Sequence, residues 1–361
     1  AANPLERSNF RPQGSWPPAS CDQRQLQARL QLEQPGDSTG QPSPSSQRGL
    51  AFSSPPEPPE GTSSSAAEPA SGATPAQRWS DLLGWIEAPQ RCWLETLGLR
   101  PQEFDEPVLD LEPLVLDERQ RSALLRRELD LDLEPGGSAP DWAELERGRG
   151  SLPPLAAGEL EVRELQRRWQ SLSRCLEQLG PAQQRTVHWQ ELEAQQCWRG
   201  GLLVRLHPGK PRAAQRLGLW LELLLACSAE QSPEAALLIG RDGDQFRVLE
   251  RLQPPSVADA RTLLEQQQQW RSAHRNRCWP LPPQTGWSFA KAESSKPGQG
   301  WGKAQTCWEG GFQQRAERRE AIQALCFGAD LPFAELFGPS CQELALQLHG
   351  PLLACWQEQK R

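Results

Sequence analysis

Between Cys197 and Leu221 the chain carries Arg199, Arg205, Lys210, Arg212 and Arg216, and no Asp or Glu. The whole protein has 46 acidic against 39 basic residues and a net charge of −7. A sharply cationic segment on an anionic body suits a polyanion, whose phosphates attract cations without sequence being read. A solvated corner with no partner has the same composition. A second stretch, Arg271–Lys303, interleaves Arg271, Arg275, Arg277, Lys291, Lys296 and Lys303 with Trp279, Trp287, Phe289 and Trp301, and Glu293 is its only acid. Cations track phosphates, and exposed aromatics stack on unpaired bases. Trp287 and Phe289 lie in the apolar GWSFA segment and are expected in the core. Trp301, between two glycines, is expected at the surface. The candidate nucleic-acid contacts are therefore Arg199, Arg205, Lys210, Arg212, Arg216, Trp279, Trp301 and Lys303.

Other constellations carry less. Pro297–Ala304 (PGQGWGKA) imitates a phosphate-binding loop, but Pro297 replaces its first glycine and Ala304 replaces the hydroxyl residue that would bind Mg²⁺. A glycine-rich flexible loop is expected there. The four histidines are far apart. The two close His/Cys pairings, His274 with Cys278 and His349 with Cys355, have no second pair at ligand spacing, so zinc is not expected. Asp242 and Asp244 flank Gly243 beside Arg241 and read as a solvated hairpin tip. Ten scattered cysteines without a CxxC read as reduced thiols.

The elements that position these residues follow from periodicity. The first residues are polar and contain proline, unlike a signal peptide, and no apolar run reaches 18 residues. The chain has no methionine, and it reads as a piece of a longer polypeptide. Residues 1–30 form a connector ending in a short helix at 22–30. Residues 31–77, rich in Pro, Ser, Gly, Glu and Ala, cannot bury enough apolar surface to order themselves and read as a disordered linker. A helical part spans 78–158. Its first helix places Trp79, Leu82, Leu83 and Ile86 at i, i+3, i+4, i+7. Asp117 caps a second helix, with Gln120 at the capping-box position. A third helix runs from Glu159 to Leu179. An α/β core with a helical tail occupies 159–361. In it, Val187–Trp198 and Leu202–Leu206 read as strands, 212–227 as a helix, and Ala235–Ile239 with Gln245–Leu252 as a hairpin around Asp242-Gly243. Ser256 caps a helix over 257–272, and helices are expected at 316–325 and 342–359. The fold class is α+β with a small mixed sheet and flanking helices.

Several stretches resemble, in order, the C-terminal region of RecC, the gamma subunit of bacterial exodeoxyribonuclease V. These are Trp198 through His207-Pro208-Gly209-Lys210 to Leu219-Trp220-Leu221-Glu222, Pro4–Phe10, Leu82–Leu99, Glu103–Leu114, Gly150–Gly158 and Leu281–Ala290. The resemblance covers roughly 1–29 and 79–361. It implies a degenerate, non-cutting restriction-nuclease-like (PD-(D/E)XK-type) core. A cutting enzyme of that fold places an Asp on one strand and an acid-x-Lys on the next, to hold Mg²⁺ and polarise water. Leu202–Leu206 and Ala235–Ile239 carry no acid, so no catalytic residue is assigned. The resemblance further implies RecB- and RecD-like partner subunits, double-stranded DNA ends and separated single strands as ligands, and repair of double-strand breaks in the bacterial cytoplasm. No cofactor is expected in this chain; ATP and Mg²⁺ would serve other subunits. Two rival readings are a protein-interaction scaffold that never touches DNA and an active Mg²⁺-dependent nuclease of the same fold.

Overall fold

The computed structural model describes residues 73–100, 114–132, 142–311 and 315–358. They fall within one unit, Glu68–Arg361. The helix expected at 22–30, most of the 31–77 linker and most of Glu103–Leu114 lie outside the described residues. The first helix, α1 (Pro75–Glu87), begins inside the stretch read as linker. Thr74 caps it by accepting a hydrogen bond from the Gln77 amide, and Pro75 occupies the first turn, where no amide donor is needed. Next comes α2 (Pro89–Thr96), closed by Gly98 at φ 76°. The Asp117–Gln120 box forms as expected at the head of α3 (Glu118–Asp132): the Gln120 amide donates to Asp117 Oδ1 and the Asp117 amide to Gln120 Oε1. Two further helices, α4 (Trp142–Gly148) and α5 (Leu155–Glu177), precede the sheet.

The sheet has six strands in sequential order, β1 (Ala182–Trp189), β2 (Leu192–Arg199), β3 (Leu202–Leu206), β4 (Ala236–Asp242), β5 (Gln245–Leu252) and β6 (Trp356–Glu358). Only β3 and β4 are parallel, and α6 (Ala213–Ser228) joins them. The single strand expected at Val187–Trp198 is in fact the arms of a hairpin. Gln190 adopts φ 49° at its tip, and Val187 pairs with Ala194 across it. The Asp242-Gly243 hairpin forms as read, with Gly243 at φ 62°.

Both faces of the sheet are covered. Adjacent residues of a strand point to opposite faces, and here both directions are apolar. Leu203 and Leu238 join one cluster with α1, α6, α7 (Val257–Ala273), α8 (Pro283–Ser295) and α12 (Pro339–Cys355). Val204 and Ile239 join the other, with α3, α4 and α5. That is why these strands read as continuous hydrophobic runs. The helix that joins β3 to β4, α6, is buried along most of its length: Leu217, Leu219, Trp220, Leu221, Leu223, Leu224 and Leu225 are all in the core. Each such side chain contributes about 1.5–3 kcal/mol. Between α8 and α12 lie α9 (Gly300–Glu309), a 3-10 turn at Glu317–Arg319, α10 (Ala321–Phe327) and α11 (Phe333–Leu336). The tail expected as two helices is thus more finely divided, and its end, 356–358, is a strand. The glycine loop expected at Pro297–Ala304 is instead the entry to α9, where Gly300 packs against Phe289 and the Gly298 and Gly300 amides donate to Glu293.

Candidate nucleic-acid interface

The cationic segment turns a corner from β3 into α6. Its loop is tethered to the parallel neighbour: the His207 amide donates to Ile239 O at 2.9 Å, and the Arg241 amide to Gly209 O at 3.1 Å. The entry to α6 is satisfied by glutamines, since the Arg212 amide donates to Gln215 Oε1 at 2.9 Å and the Ala213 amide to Gln284 Oε1 at 3.0 Å. These bonds take two of the amides at the helix entry.

The structure separates the candidate residues into two groups. Arg205 runs inward from β3 and pairs with both Glu87 of α1 and Glu222 of α6. Its guanidinium lies against Gly218, where a methyl group would stand 2.7 Å from Arg205 Cζ. Arg216 donates to Glu250 Oε1 of β5 at 2.6 Å and lies over the Trp287 ring at 4.9 Å. Arg199 donates to Leu176 O and Gly180 O, closing the end of α5 on the sheet. Trp279 is 2% exposed, with Trp85 and His274 packed edge-on against it at 5.2 and 4.7 Å. These four side chains are engaged within the fold. Three are cations committed to acceptors inside the fold, and the fourth is a core indole.

The other four face outward. Lys210 is exposed at the corner. Arg212 beside it is exposed, although it shares its charge with Glu320 at 2.7 Å. Lys303 and Trp301 lie in the first turn of α9, and Trp301 is 38% exposed while its edge packs on Phe333 at 4.8 Å. Trp287 and Phe289 are buried, as their apolar context implied.

Electrostatics add a residue that the sequence reading missed. Burial raises the carboxyl pKa of Glu87, against the lowering effects of Arg205 and then Arg126. Burial also pushes His207 down to about 4, helped by the same two arginines. Arg126 is an exposed residue of α3, so a cation from a distant segment joins the corner. The available signal was the helix pattern itself: Arg126 follows the core pair Leu124-Leu125 and falls outside their stripe. The corner then presents Lys210, Arg212 and Arg126, with His207 neutral between them.

The arrangement offers little for bond chemistry. Asp242 pairs with Arg247 across the hairpin. His274 shares a hydrogen bond with Trp270 O at 3.0 Å through Nδ1, and His349 is fully buried. Among the described residues no three His, Cys, Asp or Glu side chains gather as metal ligands would. No helix there is long and apolar enough to cross a membrane.

Comparison with known families gives a match. The model of the RecC C-terminal domain fits residues 76–294, more than half of the chain and the whole span from α1 into α8. No curated protein matches the sequence. The order of motifs, the mixed sheet they fold into and this match agree: the chain belongs to the RecC C-terminal domain family.

Proposed function

We propose that this chain is a non-catalytic DNA-handling and assembly part of a RecC-like subunit, working in the cytoplasm with RecB- and RecD-like subunits on double-strand DNA ends. The observation that carries this reading is the family match over 76–294. The parallel pair supports the non-catalytic part. A restriction-nuclease-like core would place its metal-binding acids on such strands, whereas β3 and the buried part of β4 read LLVRL and ALLIG. The one charge among them, Arg205, serves to hold α1 and α6. DNA contact is assigned to Lys210, Arg212 and Arg126 at the corner and to Lys303 with Trp301 on α9, the side chains that stand free enough to reach phosphate or base.

Assembly is supported by apolar surface. Leu114, Val115, Leu155 and Leu160 are all strongly exposed, and Leu155 lines with Leu116, Leu124 and Leu152 a groove of ≈ 960 Å³. Apolar surface of this kind marks protein contacts. The test is co-purification of the chain with its RecB- and RecD-like subunits, with and without forked DNA. A stable complex is expected in both conditions. A folded chain that joins neither subunit in either condition refutes the assembly role.

A further inference from the structure

We infer that the groove between α5 and β5 is a docking site for an extended peptide of a partner protein, apolar in part and carrying a carboxylate. The groove encloses ≈ 620 Å³. One wall is a stripe of α5 at helical spacing, Arg167, Gln170, Arg174 and Gln178, all exposed. Its floor is apolar, formed by Cys175, Leu179, Phe246 and Val248. The opposite wall is the first half of β5. There the sheet stops, because β6 pairs only with Glu250–Leu252.

The edge of β5 is not left open. The Phe246 amide donates to Ser171 Oγ at 2.9 Å, and the Val248 amide meets the Cys175 thiol. Two α5 side chains one turn apart thus take the outward donors that a further strand would claim. An occupant therefore lies over the apolar floor instead of adding itself as a full strand. The charges decide its sign. Glu164 has Arg167 and Arg168, and Arg247 has Asp242. Arg174 has no carboxylate within ion-pair distance among the described residues. With Gln170 and Gln178 beside it, this wall is rich in donors and asks for an acceptor. A polyphosphate fits less well than a peptide. Glu164 and Asp244 both line the groove, and a continuous line of phosphates would meet them, whereas an occupant with a single carboxylate can avoid them.

The probe is a fluorescein-labelled, acetylated eight-residue peptide of valine and serine with one central glutamate, read by anisotropy against the full chain. Alkylation of Cys175 by N-ethylmaleimide, followed by mass spectrometry, reports where it sits, and Cys326 on α10 serves as an internal control. Saturable binding is expected, with Cys175 protected and Cys326 not. Arg174→Glu, an exposed change that leaves the core untouched, is expected to weaken binding at least tenfold, and the same peptide with lysine in place of its glutamate is expected to bind at least tenfold more weakly. Equal binding to Arg174→Glu, or unprotected Cys175, overturns the site. Complete displacement of the peptide by a single-stranded oligonucleotide, with Cys175 still protected, would assign the groove to nucleic acid and overturn the peptide. The experiment does not depend on the DNA-handling role, which fails or stands on the co-purification.

Discussion

Gly218→Ala tests whether the Arg205 ion pairs brace the corner or merely decorate it. On helix propensity alone the change stabilises, since alanine inside a helix is favoured over glycine by about 1 kcal/mol. The structure predicts the opposite sign. The new methyl group would meet the Glu87 carboxylate and stand 2.7 Å from Arg205 Cζ. Forcing a methyl into a filled site costs about 1–3 kcal/mol. Displacing Arg205 also loosens two ion pairs whose side chains are only 18–27% exposed. Partial screening keeps that contribution to about 1 kcal/mol. The net expectation is a loss of about 2 kcal/mol. With a urea dependence of about 3 kcal/mol per molar, the unfolding midpoint followed by tryptophan fluorescence falls by roughly 0.7 M. Gly84→Ala in α1 is the control, because nothing lies within 4 Å of the added carbon, and its midpoint is expected to rise. A Gly218→Ala midpoint equal to or above that of the parent would refute the argument and leave Arg205 free to be a ligand for phosphate.

Lys210→Ala and Arg126→Ala are each expected to weaken DNA binding and to flatten the slope of log K against log salt by about one, as loss of a phosphate contact does. Arg216→Ala should instead lower stability while leaving that slope unchanged, and slopes measured between 50 and 200 mM salt distinguish the cases. His349 is fully buried, and its ring nitrogens have no hydrogen-bond partner among the described residues. Burial first, and Arg216 second, hold its pKa down to about 3. A histidine depressed on folding gives stability that is whole above the unfolded value of about 6.5 and is lost as pH falls toward 3. At pH 5 that loss is about 2 kcal/mol, and His349→Phe is expected to remove it. Urea midpoints compared at pH 7 and pH 5 check this, and an unaltered acid-side decline in the variant would count against a neutral buried imidazole.

What the sequence disclosed was local. Asp117 and Ser256 announce helix starts because a capping side chain and its amide lie three residues apart. Asp242-Gly243 announces a hairpin because glycine accepts positive φ. The Gln190-Glu191 turn carries neither glycine nor asparagine, so its two strands merged into one expectation. The internal partners of four candidate contacts escaped notice for a different reason. An acid-free window around Arg205 says nothing about Glu87, which lies 118 positions away, and Glu222 stands just past the window's end. Whether a cation faces water or a carboxylate is settled by tertiary pairing. The same pairing brought Arg126 to the corner from a helix that looked unrelated to it. Aromatic residues sorted better: the apolar neighbours of Trp287 and the glycines around Trp301 foretold their burial and exposure.

The sequential strand order bears on how the chain assembles. Three of the sheet's five pairings, β1–β2, β2–β3 and β4–β5, join neighbours through short turns. They close with little loss of loop entropy, and such contacts form fast. The pairing of β3 with β4 waits only for α6 to be spanned. The last pairing, β5 with β6, joins segments about a hundred residues apart. During synthesis the first five strands are complete long before Trp356 leaves the ribosome. Until then Glu250–Leu252 is an uncovered edge, and only α5, made earlier still, shields the other half of that strand.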